Sequence, residues 1–574
     1  MTVASSTPSA PRSATALAQL FSEERAFAWR EDPLTATAEG VRTYDNRLPS
    51  VTPDAQARRL AADEDFLRRL HDIDRASLNK QEGISYDIFE FMVASRVTSA
   101  QYREWRLPFN SDSGFFSDLL QLDSLHDPQT TKQYEDYIAR LDEIPRYFDE
   151  NIANARTGMR EGFTLPAAVI DGVSSIVAAA QYKAPEDSPF WRPFASFADR
   201  LPDSDRERLS DAAKAALAHA VMPAYTAFQR FFEREYRPAA RSTIGASALP
   251  NGRAYYGDLV RYFTTLPDAT PESIHRAGVA EVARIRAEME AIVREVGFNG
   301  SFAEFLAFLR TDPRFYAKTA DALLYQAAWI CKEIDGKLPR YFGKLPRTPY
   351  GVKPVPEALA PNYTSGRYNP GPIGAAGEYW VNTHALETRA LYALPALTLH
   401  EAVPGHHLQI ALARELTDLP RFRRNFYPHA FGEGWALYTE KLGEEMDIYH
   451  TPYTRFGRLA YEMWRACRLV IDTGMHAMEW TRERALDYLA SNTALSKHEV
   501  RTEVDRYISW PGQALAYKVG ELEIVALRKR AEAALGERFD LRAFHDAILE
   551  NGGVTLPILA RQIDAYVQRA SDGC

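Results

Sequence analysis

Cysteine is nearly absent from this chain of 574 residues, which carries three, at positions 331, 467 and 574. Spaced so widely, they form neither a disulfide framework nor a cysteine-type metal site. Cys331 and Cys467 fall in helix-period segments and are expected as core fillers, while Cys574 ends the chain and is expected to fray. Long hydrophobic runs are also missing: nothing approaches the ~20 apolar residues that span a bilayer. The opening MTVASSTPSAPRSATA lacks the basic start and apolar segment of a signal peptide, so residues 1–16 are expected to be a disordered lead-in and the location cytoplasmic. Excess positive charge is lacking too. There are 68 Lys and Arg against 77 Asp and Glu, a net charge of -9. No basic run is dense enough for nucleic acid or an anionic membrane, so neither is expected as a partner.

What is present is mostly helical texture. Residues 274–296 place Val, Ile and Met at three- and four-residue steps with Arg and Glu between them, and Gly297 follows as a helix stop. Similar patterns cover 131–155, 203–236, 319–338, 453–480, 482–490 and 513–535. The expectation is a mainly α fold with one helical domain over 17–574, divisible into subdomains of about 17–340 and 341–574. Residues 345–383 break the pattern. Prolines 346, 349, 354, 356, 361, 370 and 372 exclude a helix there. The run 377–382 (GEYWVN) then reads as a short strand that presents an open edge to an extended peptide, with Asn382 placed to bind a substrate main chain.

The chemistry concentrates in His400-Glu401-Ala402-Val403-Pro404-Gly405-His406-His407. A His-Glu pair followed by further histidines is the pattern of a zinc hydrolase, with neutral imidazoles on the metal and Glu401 as the general base. The usual second ligand lies four residues after the first, where this chain has Pro404. On an unbroken helix His406 would point about 240° away from His400, and His407 would lie about 10.5 Å along the axis. Pro404 cannot donate to the carbonyl of His400, and Gly405 permits unusual backbone angles. A Pro-Gly bulge that returns His406 to the metal is therefore expected, with His407 as the alternative ligand. Glu433, in FGEGWALYTE, is the expected third ligand, and Glu440 suits support of an imidazole N–H.

The segments HEAVPGHHLQ and EGWALYTE resemble those of a bacterial family of zinc-peptidase-like proteins known as domain of unknown function 885. PRTPYGVKPVPE at 346–357, AGEYWVNT at 376–383, DTGMH at 472–476, PGQALAYKVGELE at 511–523 and FDLRAFHDAILENGGVTLP at 539–557 extend the resemblance over nearly all of the chain after its first residues. It implies a large helical fold like that of the gluzincin metallopeptidases, with a deep cleft, and it favours His406 over His407. Glu433 is similar to the third-ligand Glu of the Asn-Glu-Gly-Phe-Ala segment in zinc aminopeptidases, with Gly432 at the Asn position.

The expected enzyme is a zinc metallopeptidase with one zinc ion per chain, acting on short peptides. Glu401 takes a proton from the attacking water, and Tyr517 and His476 are the candidates for stabilising the oxyanion. Asp472 and Glu440 are candidates for holding those groups in place. Two other readings are compatible with the same residues: hydrolysis of a non-peptide amide or peptide-like product, and a non-catalytic helical binding protein with a vestigial site.

Overall fold

Helix starts follow local capping chemistry. Thr270, Thr451 and Ser496 each accept a hydrogen bond from a backbone N–H three residues on, and Pro271 and Pro452 take first-turn positions where no N–H is needed. The computed structural model describes residues 10–572 except 199–200, 358 and 372–373. The fold is mainly α, with 72% of residues helical and 4% in strands. The chain divides into two units, Met1–Gly252 and Arg253–Cys574. The division thus falls near residue 252, not near 340, because the helices of 271–337 belong with the motif region.

In the N-terminal unit the first helix, Ala10–Glu31, begins inside the segment expected to be disordered; residues 1–9 of that segment, like Cys574, lie outside the described residues. Its core is aromatic, with Phe109, Phe115, Phe116, Phe148, Tyr225 and Phe228 buried together and rings such as Phe115 and Phe148 meeting edge to face at 4.9 Å. The helical pattern of 203–236 is interrupted by π turns at Leu217–Val221 and Phe232–Tyr236. Each lies just before a proline, Pro223 or Pro238, whose ring and missing N–H disturb the regular ladder. The pattern of 131–155 likewise splits into Thr131–Asp142 and Ile144–Glu161 beside Pro145.

The second unit holds the motif. Its main elements are α1 (Pro271–Glu295), α2 (Ala320–Lys337), β1 (Tyr350–Pro354), β2 (Gly366–Asn369), β3 (Gly377–Val381), α3 (Leu394–Glu401), α4 (His406–Arg414), α5 (His429–Glu445), α6 (Pro452–Ala477), α7 (Lys497–Ser509) and α8 (Ala516–Leu535). The Pro-rich stretch builds a three-stranded sheet in the order β1-β3-β2, with β1 parallel and β2 antiparallel to β3. The strand expected at 377–382 forms, but it is the central strand with partners on both sides. The outer edges belong to β1 and β2. Cys331 and Cys467 are both buried free thiols, as core fillers should be, and burial pushes the Cys331 thiol up to about 12. No helix among the described residues is long and apolar enough to cross a membrane.

Candidate metal centre

The helix carrying the motif stops and restarts within it. α3 ends at Glu401 and α4 begins at His406, so the four residues between them leave the helical path. A side chain at Gly405 would place its Cβ 1.9 Å from the carbonyl oxygen of His400, so only glycine allows the chain to fold back this tightly. Trp435 holds the turn from below by donating from Nε1 to the Pro404 carbonyl at 2.9 Å. The break gives the expected Pro-Gly bulge a larger form: two helices meet at the site instead of one kinked helix.

Glu433 comes from α5, and its position is fixed by an intimate crossing of α5 with α8. A Cβ on Gly520 would lie 1.8 Å from the Ala430 carbonyl oxygen, and one on Gly434 would lie 2.5 Å from the Gly520 backbone. Two facing glycines therefore bring the backbones together beside Glu433. Tyr517 lies three residues before Gly520 on α8, and so reaches the same neighbourhood. Thr439, further along α5, donates to the Leu399 carbonyl at 3.0 Å and ties α5 to α3.

His400, His406 and Glu433 converge, with one ligand-type atom from each within 4.8 Å of the others. Glu433 Oε2 stands 3.5 Å from Nε2 of His400 and 3.5 Å from Nε2 of His406. That is longer than the about 2.7–3.2 Å of a good hydrogen bond. It is close to the about 3.3–3.4 Å edge of a tetrahedron with zinc–ligand bonds near 2.05 Å. His400 Nδ1 meets Glu440 Oε1 at 2.8 Å, so an Nδ1–H donated there leaves Nε2 as the lone pair facing the cluster. The donor set and its spacing fit a divalent zinc-type ion. Electrostatics agree with a cation site. Burial works against charging His400, but the carboxylates of Glu433, Glu440 and Glu401 outweigh it and push the imidazole up to about 9. Burial likewise opposes ionisation of Glu433, yet His406 and His400 hold its carboxyl well below the usual range.

Glu401 is buried beside this cluster and accepts the backbone N–H of Tyr368 at 2.8 Å. β2 is the strand whose residues 366 and 368 point their backbone groups away from β3, so its free edge runs past Glu401. His407 turns elsewhere. Its Nδ1 lies 3.0 Å from the Tyr368 hydroxyl, its ring packs 4.7 Å from that of Tyr350, and burial pushes its pKa down to about 4. Of the two histidines, only His406 joins the cluster.

Three other residues take parts different from those expected. Asn382 is fully buried, and its Nδ2 donates to the carbonyls of Ala360, Tyr363 and Thr364 at 2.9–3.1 Å. Every donor is spent on loop closure, so it has none for a substrate. His476 is buried with Nε2 2.9 Å from the Tyr507 carbonyl, away from the cluster. Asp472 accepts from the Tyr256 hydroxyl at 2.5 Å and from the Gly512 N–H at 3.1 Å. Asp472 thus supports the loop that leads into α8, and His476 the last turns of α7 before it. Tyr517 itself is half-buried, with the Arg468 guanidinium 4.4 Å from its ring centre.

Two neighbours of the site went unread in the sequence. Tyr427 occupies the space where a side chain on residue 432 would be: a Cβ there would lie 2.2 Å from its Cζ. Its hydroxyl feels the charges of Glu433, Glu401 and Arg367. The clue was Gly432 itself, standing where the resembling segments carry Asn. Arg367, on the free-edge strand β2, reaches solvent while interacting with Glu401 and Glu433. Nothing in the linear sequence marks it.

The model of the family described as bacterial protein of unknown function (DUF885) matches residues 33–563. None of the curated proteins matches the chain. Two similar solved structures are each described as a "putative lipoprotein". One, from Colwellia psychrerythraea, is 27% identical with a TM-score of 0.88 and covers 97% of this chain and 100% of its own. The other, from Shewanella oneidensis, is 18% identical with a TM-score of 0.75, covers 95% of this chain and 99% of its own, and shows the fold alone. The chain belongs to the DUF885 family.

Proposed function

We propose that this member of the DUF885 family is a zinc-dependent hydrolase that cleaves short peptides. The observation that carries the reading is the convergence of two imidazole nitrogens on one carboxylate oxygen at 3.5 Å each, beside a buried carboxylate that is not part of the cluster. His400, His406 and Glu433 would hold one zinc ion per chain. When bound, the ion supplies Lewis acidity and a water acidic enough to lose its proton near neutrality.

The chain's own groups supply the rest. Glu401 accepts the proton; one of its oxygens is anchored on the Tyr368 N–H, which orients the other. Glu440 fixes the tautomer of His400. Tyr517, whose phenol acts on Tyr427 as do Glu433 and Glu401, donates its hydrogen to the developing oxyanion. An extended peptide lies along the outer edge of β2 with its carbonyl against Glu401, the Tyr368 N–H being held by that carboxylate.

The test is metal content by elemental analysis, followed by mass spectrometry of a peptide-library digest with and without chelator. Stoichiometric zinc and chelator-sensitive cleavage are expected. Glu401→Gln should keep zinc and lose cleavage by at least about a hundredfold; full turnover in that variant refutes the mechanism. Stoichiometric zinc with no peptide cleaved would shift the substrate to a non-peptide amide. Compartment belongs to the same proposal. The lipoprotein description of the Colwellia psychrerythraea structure favours the cell envelope over the cytoplasm expected from the sequence, and cell fractionation separates the two.

A further inference from the structure

A cavity opens next to the proposed centre and has no part in the chemistry described so far. Its volume is about 80 Å³, room for a single side chain, and Ser365, Leu397, Tyr461 and Trp464 are among its walls. Two of these tie it to the centre. Leu397 lies one helical turn before His400 on α3, about 4.5 Å along the axis. Ser365 immediately precedes β2, three residues from Tyr368 and so about 10 Å along the strand from the amide that holds Glu401. That distance is the reach of two to three residues of extended peptide.

The chemistry of the walls narrows what fits. Tyr392, Tyr461 and Trp464 offer ring faces, and Leu394, Leu397 and Val381 offer aliphatic surface. Two charges also line it, Arg389 and Glu499, but they face each other at 4.0 Å. Arg389 is further committed to the Ser365 hydroxyl and the His384 carbonyl, at 3.3 and 3.2 Å. The cavity thus carries no unbalanced charge that would call for an ionic guest. Apolar walls with self-neutralised polar groups favour a large neutral side chain.

We propose that this cavity is the specificity pocket of the enzyme, and that it takes an aromatic or branched aliphatic side chain two to three residues from the scissile bond. The assignment rests on the hydrolase reading for the words scissile bond, but the pocket can be tested without hydrolysis. Ligand-observed NMR titration of the full chain compares N-acetylphenylalaninamide with N-acetylglycinamide. Burying a phenyl group should tighten binding about tenfold to a hundredfold. Ala460→Phe fills the cavity from α6, and Ala494→Phe fills it from a loop wall, where the risk to folding is smaller. Both should cut the preference to about threefold or less and move peptide cleavage away from large apolar residues. Equal binding of the two probes by the wild type, or a preference that survives Ala494→Phe in a chain with unchanged circular dichroism, overturns the proposal. A chain that prefers the phenylalanine probe yet cleaves no peptide refutes the peptidase reading and supports the pocket. Cleavage without preference does the reverse.

Discussion

Replacing Glu440 with Gln tests whether the cluster is a metal site held from behind. The His400–Glu440 pair is 2.8 Å long, with side-chain exposures of 3% and 1%, so solvent cannot take over either partner's role. Removing the carboxylate that supports a metal-bound imidazole costs about 10- to 100-fold in metal affinity, or about 1.4–2.8 kcal/mol. Gln keeps the shape and can still accept the Nδ1–H through its carbonyl oxygen, so it loses only the charge. The lower end, about tenfold weaker zinc binding, is expected for Glu440→Gln. Glu440→Ala loses the hydrogen bond as well and should approach the upper end. It also leaves the buried Arg465, 3.8 Å from Glu440, without its carboxylate, which should cost additional folding stability. The assay is competition for zinc against a chromogenic chelator at fixed pH, with thermal melts run in parallel. If both variants hold zinc within twofold of the wild type, His400 does not bind metal through Nε2 and the assignment of the centre is wrong.

Three further outcomes follow from the same geometry. Tyr517→Phe should lower kcat about 10²- to 10³-fold with zinc affinity unchanged; unaltered kcat removes Tyr517 from the oxyanion role. Gly520→Ala puts a Cβ 1.8 Å from the Ala430 carbonyl oxygen, so α5 and α8 must part, with a loss of about 1–3 kcal/mol and weaker zinc binding as Glu433 shifts; an unchanged melting temperature would show that the crossing is not tight. Burial pushes the Asp472 carboxyl up to about 7 despite hydrogen bonds from Tyr256 and Gly512, so the folded chain holds this proton more tightly than the unfolded one and stability falls as pH rises from about 4 to about 7. Asp472→Asn should flatten that part of the stability–pH curve, by roughly 2–4 kcal/mol across the window, as read from urea unfolding at stepped pH; an unchanged slope means that Asp472 is ionised throughout.

The legible parts of this molecule are those whose causes are local. Helix periodicity, the proline-dense break at 345–383 and the Pro-Gly interruption each act within a few residues, and each appears where the pattern places it. The third-ligand candidate Glu433 was also readable, because small residues on both sides of an acidic one signal a close backbone approach. What was lost depended on the partners a side chain meets far along the chain. Asn382 sits on a strand end beside the motif and looks like a substrate contact, but the turn at 360–364 consumes its donors. His476 and Asp472 have the right chemistry for catalysis, and yet α6 carries them to the end of α7 and the loop after it. The strand at 377–382 was readable, whereas its central place in the sheet depended on β1 and β2 arriving from either side.

The same distinction explains how the centre is built. The motif supplies ligands, but their placement depends on a rigid frame assembled from distant segments. Lys518, which follows Tyr517, is fully buried and donates to Glu462 and Glu521 at 2.7 Å, with Glu281 at 2.9 Å. Arg284 and Arg458 share Glu462 and balance the excess carboxylate. This network joins α1, α6 and α8 through charges that cannot be left unpaired without a cost of several kcal/mol. It fixes the rotation of α8, and therefore the direction of Tyr517 on the one side and the seat of Gly520 against α5 on the other. A charge network of this kind is a poor source of net stability compared with an apolar core of the same volume. Its contribution is geometric: it ties α8 to α1 and α6 at the residue that follows Tyr517. The proposed ligands come from α3, α4 and α5, and Glu433 is positioned by the Gly434–Gly520 crossing together with the Thr439 tie to α3.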